Sequence, residues 1–163
     1  MDLLDFAKDI EMQGKKHYTV LAERMPIREL AGIFMFFAKE EERHFEIFDA
    51  WQKKMKIPPL ENAGIIGRAR EVFPTLVEKF RTRGIAAVDY EDAYAKALSL
   101  EEKSIALYEN ARDKYQDPGQ QALLERIIGQ EKLHAQIITS LMEFQRHPHE
   151  WLENAEWYHT DEF

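Results

Sequence analysis

The sequence predicts an all-α protein, a four-helix bundle with one long crossover between the second and third helices. Four long segments carry apolar residues at spacings of three and four, the period of an α-helix. Short runs rich in Val, Ile and Thr and bounded by turns, which would indicate strands, are missing. The connections between the four segments are short, long and short. This order predicts an up-down-down-up bundle.

The first two helices are predicted from their apolar stripes and from proline. The first runs from about Asp2 to Arg24 and is interrupted by Met25-Pro26. Proline suits the first position of a helix, so the second is predicted from about Pro26 to Met55. Pro58 and Pro59 prevent its continuation.

The middle connection covers residues 57–88 and contains several helix-breaking residues. Gly64 and Gly67 predict an irregular turn there. A short helix is predicted from about Val72 to Phe80 within a crossover that runs the height of the bundle.

The third helix is predicted from about Tyr90 to Tyr115, with Asp89 as its N-cap, and the fourth from about Gly119 to Arg146. Residues 1–147 then form the bundle domain. Residues 148–163 form an aromatic and acidic tail that is too apolar to assume disorder, and we expect it to pack on the bundle or on a second subunit.

Composition excludes several classes of function. The net charge of −8 argues against nucleic acid or an anionic membrane surface as a partner. The chain has no cysteine, which excludes disulfides, thiol nucleophiles and rubredoxin-type iron within it. The acidic start of the chain is unlike a signal peptide, and no apolar run reaches the length of a membrane span. A cytoplasmic protein is expected.

Two copies of Glu-x-x-His carry the chemistry that the sequence suggests. Glu41 and His44 lie in the second predicted helix, and Glu131 and His134 lie in the fourth. Residues three apart project from one face of a helix, so each pair can bind one metal ion. Such a motif alone is weak, because one copy is expected by chance in a chain this rich in Glu.

An internal repeat strengthens the motif. Glu11 lies 30 residues before Glu41, and Glu101 lies 30 residues before Glu131. Each upstream Glu is followed seven residues later by a tyrosine, Tyr18 or Tyr108, so the whole set recurs with an offset of 90 residues. A pseudo-twofold axis between two helical pairs would bring the set together at mid-bundle. The candidate metal ligands are Glu11, Glu41, His44, Glu101, Glu131 and His134.

Electrostatics favours a metal at this point. Four ionised carboxylates about 6 Å apart repel by roughly 3 kcal/mol per pair at an effective dielectric constant near 20. Together with desolvation, this cost exceeds the roughly 5–15 kcal/mol that stabilises a domain. Protons or water would relieve it, and so would two divalent cations, whose charge balances four carboxylates. Oxygen ligands with some nitrogen suit Fe or Mn, and Zn is also compatible.

The ligand pattern resembles that of the ferritin-like di-iron carboxylate superfamily, and it is most similar to rubrerythrin-related proteins. The resemblance covers about residues 1–147. It implies that Glu41 and Glu131 bridge two iron ions, that Glu11 and His44 complete one, and that Glu101 and His134 complete the other. It also implies that Tyr18 and Tyr108, the candidate catalytic residues, hydrogen-bond carboxylates of the opposite half.

The chain departs at three points from the patterns of the families that it resembles. Rubrerythrins carry an extra carboxylate one turn after the third-helix Glu, where this chain has Ser104. They often end in a Cys-rich rubredoxin domain, whereas this chain has no cysteine, so electrons would come from a separate protein or from Fe(II) itself. Glu42 stands where bacterioferritin often has a haem-binding Met. Glu40 and Glu42, beside the predicted ligand, are expected to face solvent.

Three functional hypotheses follow. The first is a non-haem di-iron oxidoreductase that reacts bound Fe(II) with H₂O₂ or O₂, as a peroxidase or ferroxidase in iron handling or oxidative-stress defence. The second is an iron-binding or sensing module that acts through protein contacts of Trp151, Trp157 and Tyr158. The third is a metal-free structural bundle. The resemblance and the surplus of aromatic residues also suggest a homodimer.

Overall fold

The computed structural model describes residues 2–61, 64–83, 90–147 and 150, and it is helical throughout its regular part. Four long helices form the bundle and a fifth lies in the crossover, so the all-α prediction is confirmed. No strand occurs among the described residues. In chain order the helices are α1 (Leu3–Arg24), α2 (Arg28–Gln52), α3 (Ile65–Arg83), α4 (Glu91–Lys114) and α5 (Pro118–Arg146).

The ends of α1 and α2 are set by local backbone chemistry. Asp2 caps α1 by accepting a hydrogen bond from the backbone N–H of Asp5, and Asp5 reciprocates. The prediction that α2 begins at Pro26 was wrong by two residues, since Ile27 is the N-cap. Its predicted end at Met55 was also wrong. The helix ends at Gln52, and Lys54 then adopts a left-handed conformation with φ of 56°.

The crossover is more helical than predicted. The expected short helix from Val72 to Phe80 is part of the 19-residue α3. The turn predicted at Gly64 and Gly67 was wrong, because α3 begins at Ile65 and includes Gly67. Buried α3 side chains such as Phe73 pack into the same hydrophobic cluster as α2, and this packing compensates for the low helix propensity of glycine.

Helices α4 and α5 begin differently. Asp117 caps α5 by accepting from the N–H of Gln120, and Pro118 occupies the first turn. Tyr90 is the N-cap of α4 and makes no side-chain capping hydrogen bond. Asp89, the predicted cap, lies outside the described residues, as do residues 151–163 of the tail.

Side-chain contacts establish that neighbouring bundle helices are antiparallel. In the first pair, Lys8 of α1 contacts Asp49 of α2, and Lys15 contacts Glu42. The second pair shows the same order, with Arg112 of α4 paired to Glu125 of α5 and Arg146 of α5 paired to Glu91 of α4. Tyr18 of α1 bonds to Glu101 of α4 and Tyr108 of α4 bonds to Glu11 of α1, so these two helices are also antiparallel and the predicted up-down-down-up order is confirmed.

Two separate hydrophobic clusters fill the bundle interior. One contains Tyr18 and Phe34 with part of α3, and the other contains Phe48 and Tyr108. The predicted metal ligands lie along their helices between the residues of these two clusters. Burial of the two apolar regions thus fixes the helices on both sides of a polar layer.

No helix in the described part of the chain is both long and apolar enough to cross a membrane.

Candidate metal centre

Six buried side chains from four helices converge in the polar layer. Each is at most 2% exposed. Helix α1 supplies one carboxylate and α2 a carboxylate and an imidazole, and α4 and α5 repeat this contribution. The side chains are those named from the sequence: Glu11, Glu41, His44, Glu101, Glu131 and His134.

The six side chains form two overlapping donor sets, in each of which one ligand atom per residue lies within 4.8 Å of all the others. The first set is Glu11, Glu41, His44 and Glu131, and the second is Glu41, Glu101, Glu131 and His134. Glu41 and Glu131 belong to both sets. This is the arrangement in which two carboxylates can bridge two ions while each ion keeps one further carboxylate and one imidazole.

Several donor atoms in the site are buried without a hydrogen bond. They are Glu41 Oε1, Glu101 Oε2, Glu131 Oε2 and His134 Nδ1. His134 Nδ1 lies 3.1 Å from Glu41 Oε1 and 3.3 Å from an oxygen of each of Glu101 and Glu131, but these contacts lack hydrogen-bond geometry. Unpaired buried polar atoms are costly, and a cation between them would satisfy all four. All four atoms belong to the second donor set, which therefore fits a divalent metal ion, and the first set offers the same types of ligand.

Two tyrosines hold the terminal carboxylates from the opposite half of the bundle. Tyr18 of α1 donates a hydrogen bond to Glu101 of α4. Tyr108 of α4 donates one to Glu11 of α1. Both phenols are buried, so these bonds are not exchanged for bonds to bulk water. The hydrogen-bonded oxygen of each carboxylate is fixed in direction, which positions the ligand before any metal arrives.

The imidazoles face the carboxylate cluster through Nδ1 and contact an outer partner through Nε2. His134 Nε2 lies 2.6 Å from Glu40 Oε2, and His44 Nε2 lies 2.7 Å from Gln130 Oε1. The expectation that Glu40 faces solvent was wrong, because it is only 7% exposed and packs against α5. Glu42 is exposed, as predicted, and pairs with Lys15.

A glycine makes room for one of the shared carboxylates. A Cβ atom at Gly14 would lie 2.7 Å from Glu41 Oε2, closer than such atoms approach in proteins. Any larger residue would therefore push the Glu41 side chain. The sequence analysis did not single out Gly14, although the offset of 90 residues relates it to Ser104.

Burial and mutual repulsion change the protonation of the metal-free site. Burial, with the neighbouring Glu131, raises the pKa of Glu101 to about 7. The same two causes raise the pKa of Glu41 well above its ordinary value. Burial alone would lower the pKa values of His44 and His134, but the surrounding carboxylates raise both. The metal-free centre thus holds protons that divalent cations would displace.

Burial also raises the pKa values of Tyr18 and Tyr108, and the carboxylates that they contact add to the effect. Both phenols therefore stay protonated at neutral pH and act as hydrogen-bond donors.

Comparison with known families agrees with this geometry. The family model described as Rubrerythrin matches residues 2–142, which include all six candidate ligands and both tyrosines. The chain belongs to the rubrerythrin family. Searches of curated proteins and of solved structures found no match. The ferritin-like helical bundle of rubrerythrins is the architecture that the structure shows.

This rubrerythrin-family centre differs from the pattern that the resemblance implied at one buried position. Ser104 is 2% exposed, and its hydroxyl donates to the carbonyl of Leu100 on its own helix. It therefore adds no carboxylate to the donor sets. The sequence also gave no reason to single out Glu40 and Gln130, although each directly precedes a shared carboxylate and the two are related by the internal repeat.

Proposed function

We propose that this protein binds two iron ions and oxidises Fe(II) with H₂O₂ or O₂. The observation that carries the proposal is the pair of donor sets that share Glu41 and Glu131 and leave buried donor atoms unpaired. When bound, a pair of Fe(II) ions would supply two electrons that, with two protons from solvent, reduce H₂O₂ to two molecules of water or O₂ to H₂O₂.

The residues of the chain would contribute charge balance and orientation. Four buried carboxylates offset the charge of two divalent cations, and a further positive charge after oxidation is favoured by the same carboxylates. As positioning residues, Tyr18 and Tyr108 restrict the terminal carboxylates, Glu101 and Glu11. A centre prepared in this way loses little energy to rearrangement when the metal changes charge.

Aromatic rings would help to keep bulk water from one imidazole. The ring of Phe37 lies with its centroid 4.2 Å from that of His134, and the Tyr18 ring meets the same imidazole edge-on at 6.1 Å. Exclusion of water strengthens the electrostatic interactions of the site and limits side reactions.

Ferroxidase and peroxidase activity differ in the source of electrons. A ferroxidase would take them from successive Fe(II) ions, and a peroxidase would need an external electron-donor protein because this chain carries no cysteine-bound iron. Ser104, in place of the extra carboxylate of rubrerythrins, removes a ligand toward which an ion could shift. Both H₂O₂ and O₂ therefore remain candidate oxidants. Separately, the homodimer remains a prediction.

The test is metal content together with Fe(II) oxidation. Wild-type protein should bind about two irons per chain and develop near-ultraviolet absorption when O₂ or H₂O₂ is added. Glu41→Ala and Glu131→Ala should each abolish binding of both ions, because each removes a shared ligand. The matched control is Glu42→Ala, whose carboxylate neighbours Glu41 in sequence but lies on the surface.

The outcomes separate the three hypotheses. The faster oxidant in single-turnover mixing would distinguish peroxidase from ferroxidase. Two tightly bound ions with no oxidation by either oxidant would favour the iron-binding or sensing module. Wild-type protein that binds no more iron than Glu41→Ala would eliminate the metal centre and leave the structural bundle.

A further inference from the structure

The two histidines of the centre have chemically different outer partners. His134 contacts a carboxylate, Glu40, at 2.6 Å, whereas His44 contacts an amide, Gln130, at 2.7 Å. Glu40 and Gln130 are related by the 90-residue repeat that relates the ligands themselves. Two otherwise matched sets of ligands therefore differ by one negative charge behind the imidazole.

The contacts define which way each outer hydrogen bond runs. If Nδ1 binds metal, the remaining proton of the neutral imidazole is on Nε2, so Nε2 donates outward. Gln130 presents its oxygen to His44 because its amide nitrogen donates to the carbonyl of Glu61 at 2.9 Å. Glu40 presents a carboxylate oxygen to His134, which is 0% exposed.

The charge of Glu40 is directed at His134. Within the described part of the chain, Glu40 forms no ion pair with a lysine or arginine. At 7% exposure its carboxylate is also poorly screened by water. A carboxylate that accepts a hydrogen bond from a metal-bound imidazole makes the imidazole more basic and strengthens its bond to the metal. A neutral amide in the same position orients the ring without adding charge.

We propose that the two metal positions are inequivalent, and that Glu40 and Gln130 are the positioning residues that make them so. The position completed by Glu101 and His134 binds a divalent cation more tightly and fills first. The position completed by Glu11 and His44 is the weaker, exchangeable one. This inference rests on the proposed di-metal centre and adds an order of loading to it.

The test is a titration of metal-free, full-length protein with Co(II), followed by calorimetry and visible absorption. Wild-type protein should bind two ions with dissociation constants that differ by about 10- to 100-fold, the range observed when outer partners of metal ligands are changed. Glu40→Gln should weaken binding of the first ion by about that factor, so that the two dissociation constants become similar. Gln130→Glu should strengthen binding of the second ion, which also reduces the difference between the two dissociation constants.

A matched pair of ligand variants identifies the positions. His44→Ala should retain one tightly bound ion, and His134→Ala should retain one ion that binds about 10- to 100-fold more weakly. The double variant Glu40→Gln/Gln130→Glu should again bind two ions with different dissociation constants, but the position completed by His44 should now be the tighter one. To detect this reversal, the double variant is combined with each histidine variant. In that background, His134→Ala should retain the more tightly bound ion and His44→Ala the more weakly bound one.

The results separate failure of this inference from failure of the proposed function. Two ions with equal affinities, unchanged by Glu40→Gln and Gln130→Glu, would overturn the inequivalence and leave the di-metal centre intact. Tighter binding by His134→Ala than by His44→Ala would overturn the assignment of positions. Wild-type protein that binds no Co(II) and no Fe(II) would overturn both proposals.

Discussion

The α1–α2 half and the α4–α5 half of this rubrerythrin-family protein supply the same ligands in different surroundings. Each half contributes two carboxylates, one imidazole and one tyrosine that reaches across to the other half. The corresponding neighbours differ: Glu40 against Gln130, Gly14 against Ser104, and Phe37 against Ile127. The set of candidate ligands is thus repeated, while the residues around it differ between the two halves, and this difference is the basis of the proposed inequivalence.

The glycine and serine illustrate how differently the same point on the bundle is filled. At Gly14 a Cβ atom would collide with Glu41, so the absence of a side chain is required by the shared carboxylate. At Ser104 a side chain is present, and its hydroxyl bonds back to the Leu100 carbonyl at 2.7 Å. The space at Gly14 is thus required by a carboxylate that belongs to both donor sets, whereas Ser104 bonds to the backbone of its own helix.

The largest expected effect concerns stability against pH in the metal-free protein. Glu101 has its pKa raised from 4.5 to about 7, so between these values the folded protein holds more protons than the unfolded chain. The free energy of unfolding must then fall as pH rises through this window, by about 3 kcal/mol from Glu101 alone. Glu41, His44 and His134 also have raised pKa values, and their contribution has the same sign.

Urea unfolding of metal-free protein between pH 4.5 and 8 measures how steeply the free energy of unfolding changes with pH. Glu101→Gln should flatten this dependence in the lower part of the range, and loading with metal should remove most of it. The surface carboxylates with lowered pKa values, such as Asp5 and Asp49, titrate below the window and do not oppose the trend. Stability that increases steadily from pH 5 to 7 would contradict the prediction.

The next effect tests whether the crossed tyrosines are equivalent. Tyr18→Phe removes the hydrogen bond to Glu101 and should weaken binding of the ion that His134 ligates. Tyr108→Phe removes the hydrogen bond to Glu11 and should weaken binding of the ion that His44 ligates. We expect a loss of about 10- to 100-fold in metal affinity in each case. Co(II) titration measures both.

Tyr94→Phe is the matched control for these variants, since Tyr94 is buried at 3% exposure but lies in the hydrophobic cluster away from the ligands. It should leave both dissociation constants unchanged. If Tyr18→Phe and Tyr108→Phe weaken the same ion, the crossed arrangement does not control metal binding.

The smallest effect concerns Gly14. Gly14→Ala should lower metal affinity about tenfold by displacing the Glu41 carboxylate, with little change in the stability of the metal-free protein because that side chain can move. Gly129→Ala is the control, since nothing lies within 4 Å of its added Cβ. It should raise the free energy of unfolding by about 0.5–1 kcal/mol and leave metal binding unchanged. Equal metal affinity in both variants would show that Glu41 does not depend on the space at Gly14.

Much of the architecture was predictable because it depends on local spacing. Apolar residues at spacings of three and four, together with Pro26, Pro58 and Pro59, predicted the four bundle helices to within a few residues. The length of α3 was missed because Gly67 and Pro74, both inside the helix, weaken the local helical signal, and packing against α2 compensates for them. The C-terminal end of α2 differed because the backbone turns before the prolines are reached, with Lys54 in a left-handed conformation that apolar spacing does not encode.

The sequence by itself determined the fold class and the six candidate ligands, since helical spacing and the 90-residue repeat are properties of the chain alone. Only the tertiary structure decided the surroundings of those ligands. Glu40 is one position, about 100° of rotation, from Glu41, and such a residue faces either solvent or a neighbouring helix. The packing of α5 against α2 turned this position inward, onto His134. Distances between helices depend on every side chain in the interface, so the difference between the two histidines appears only in the folded bundle.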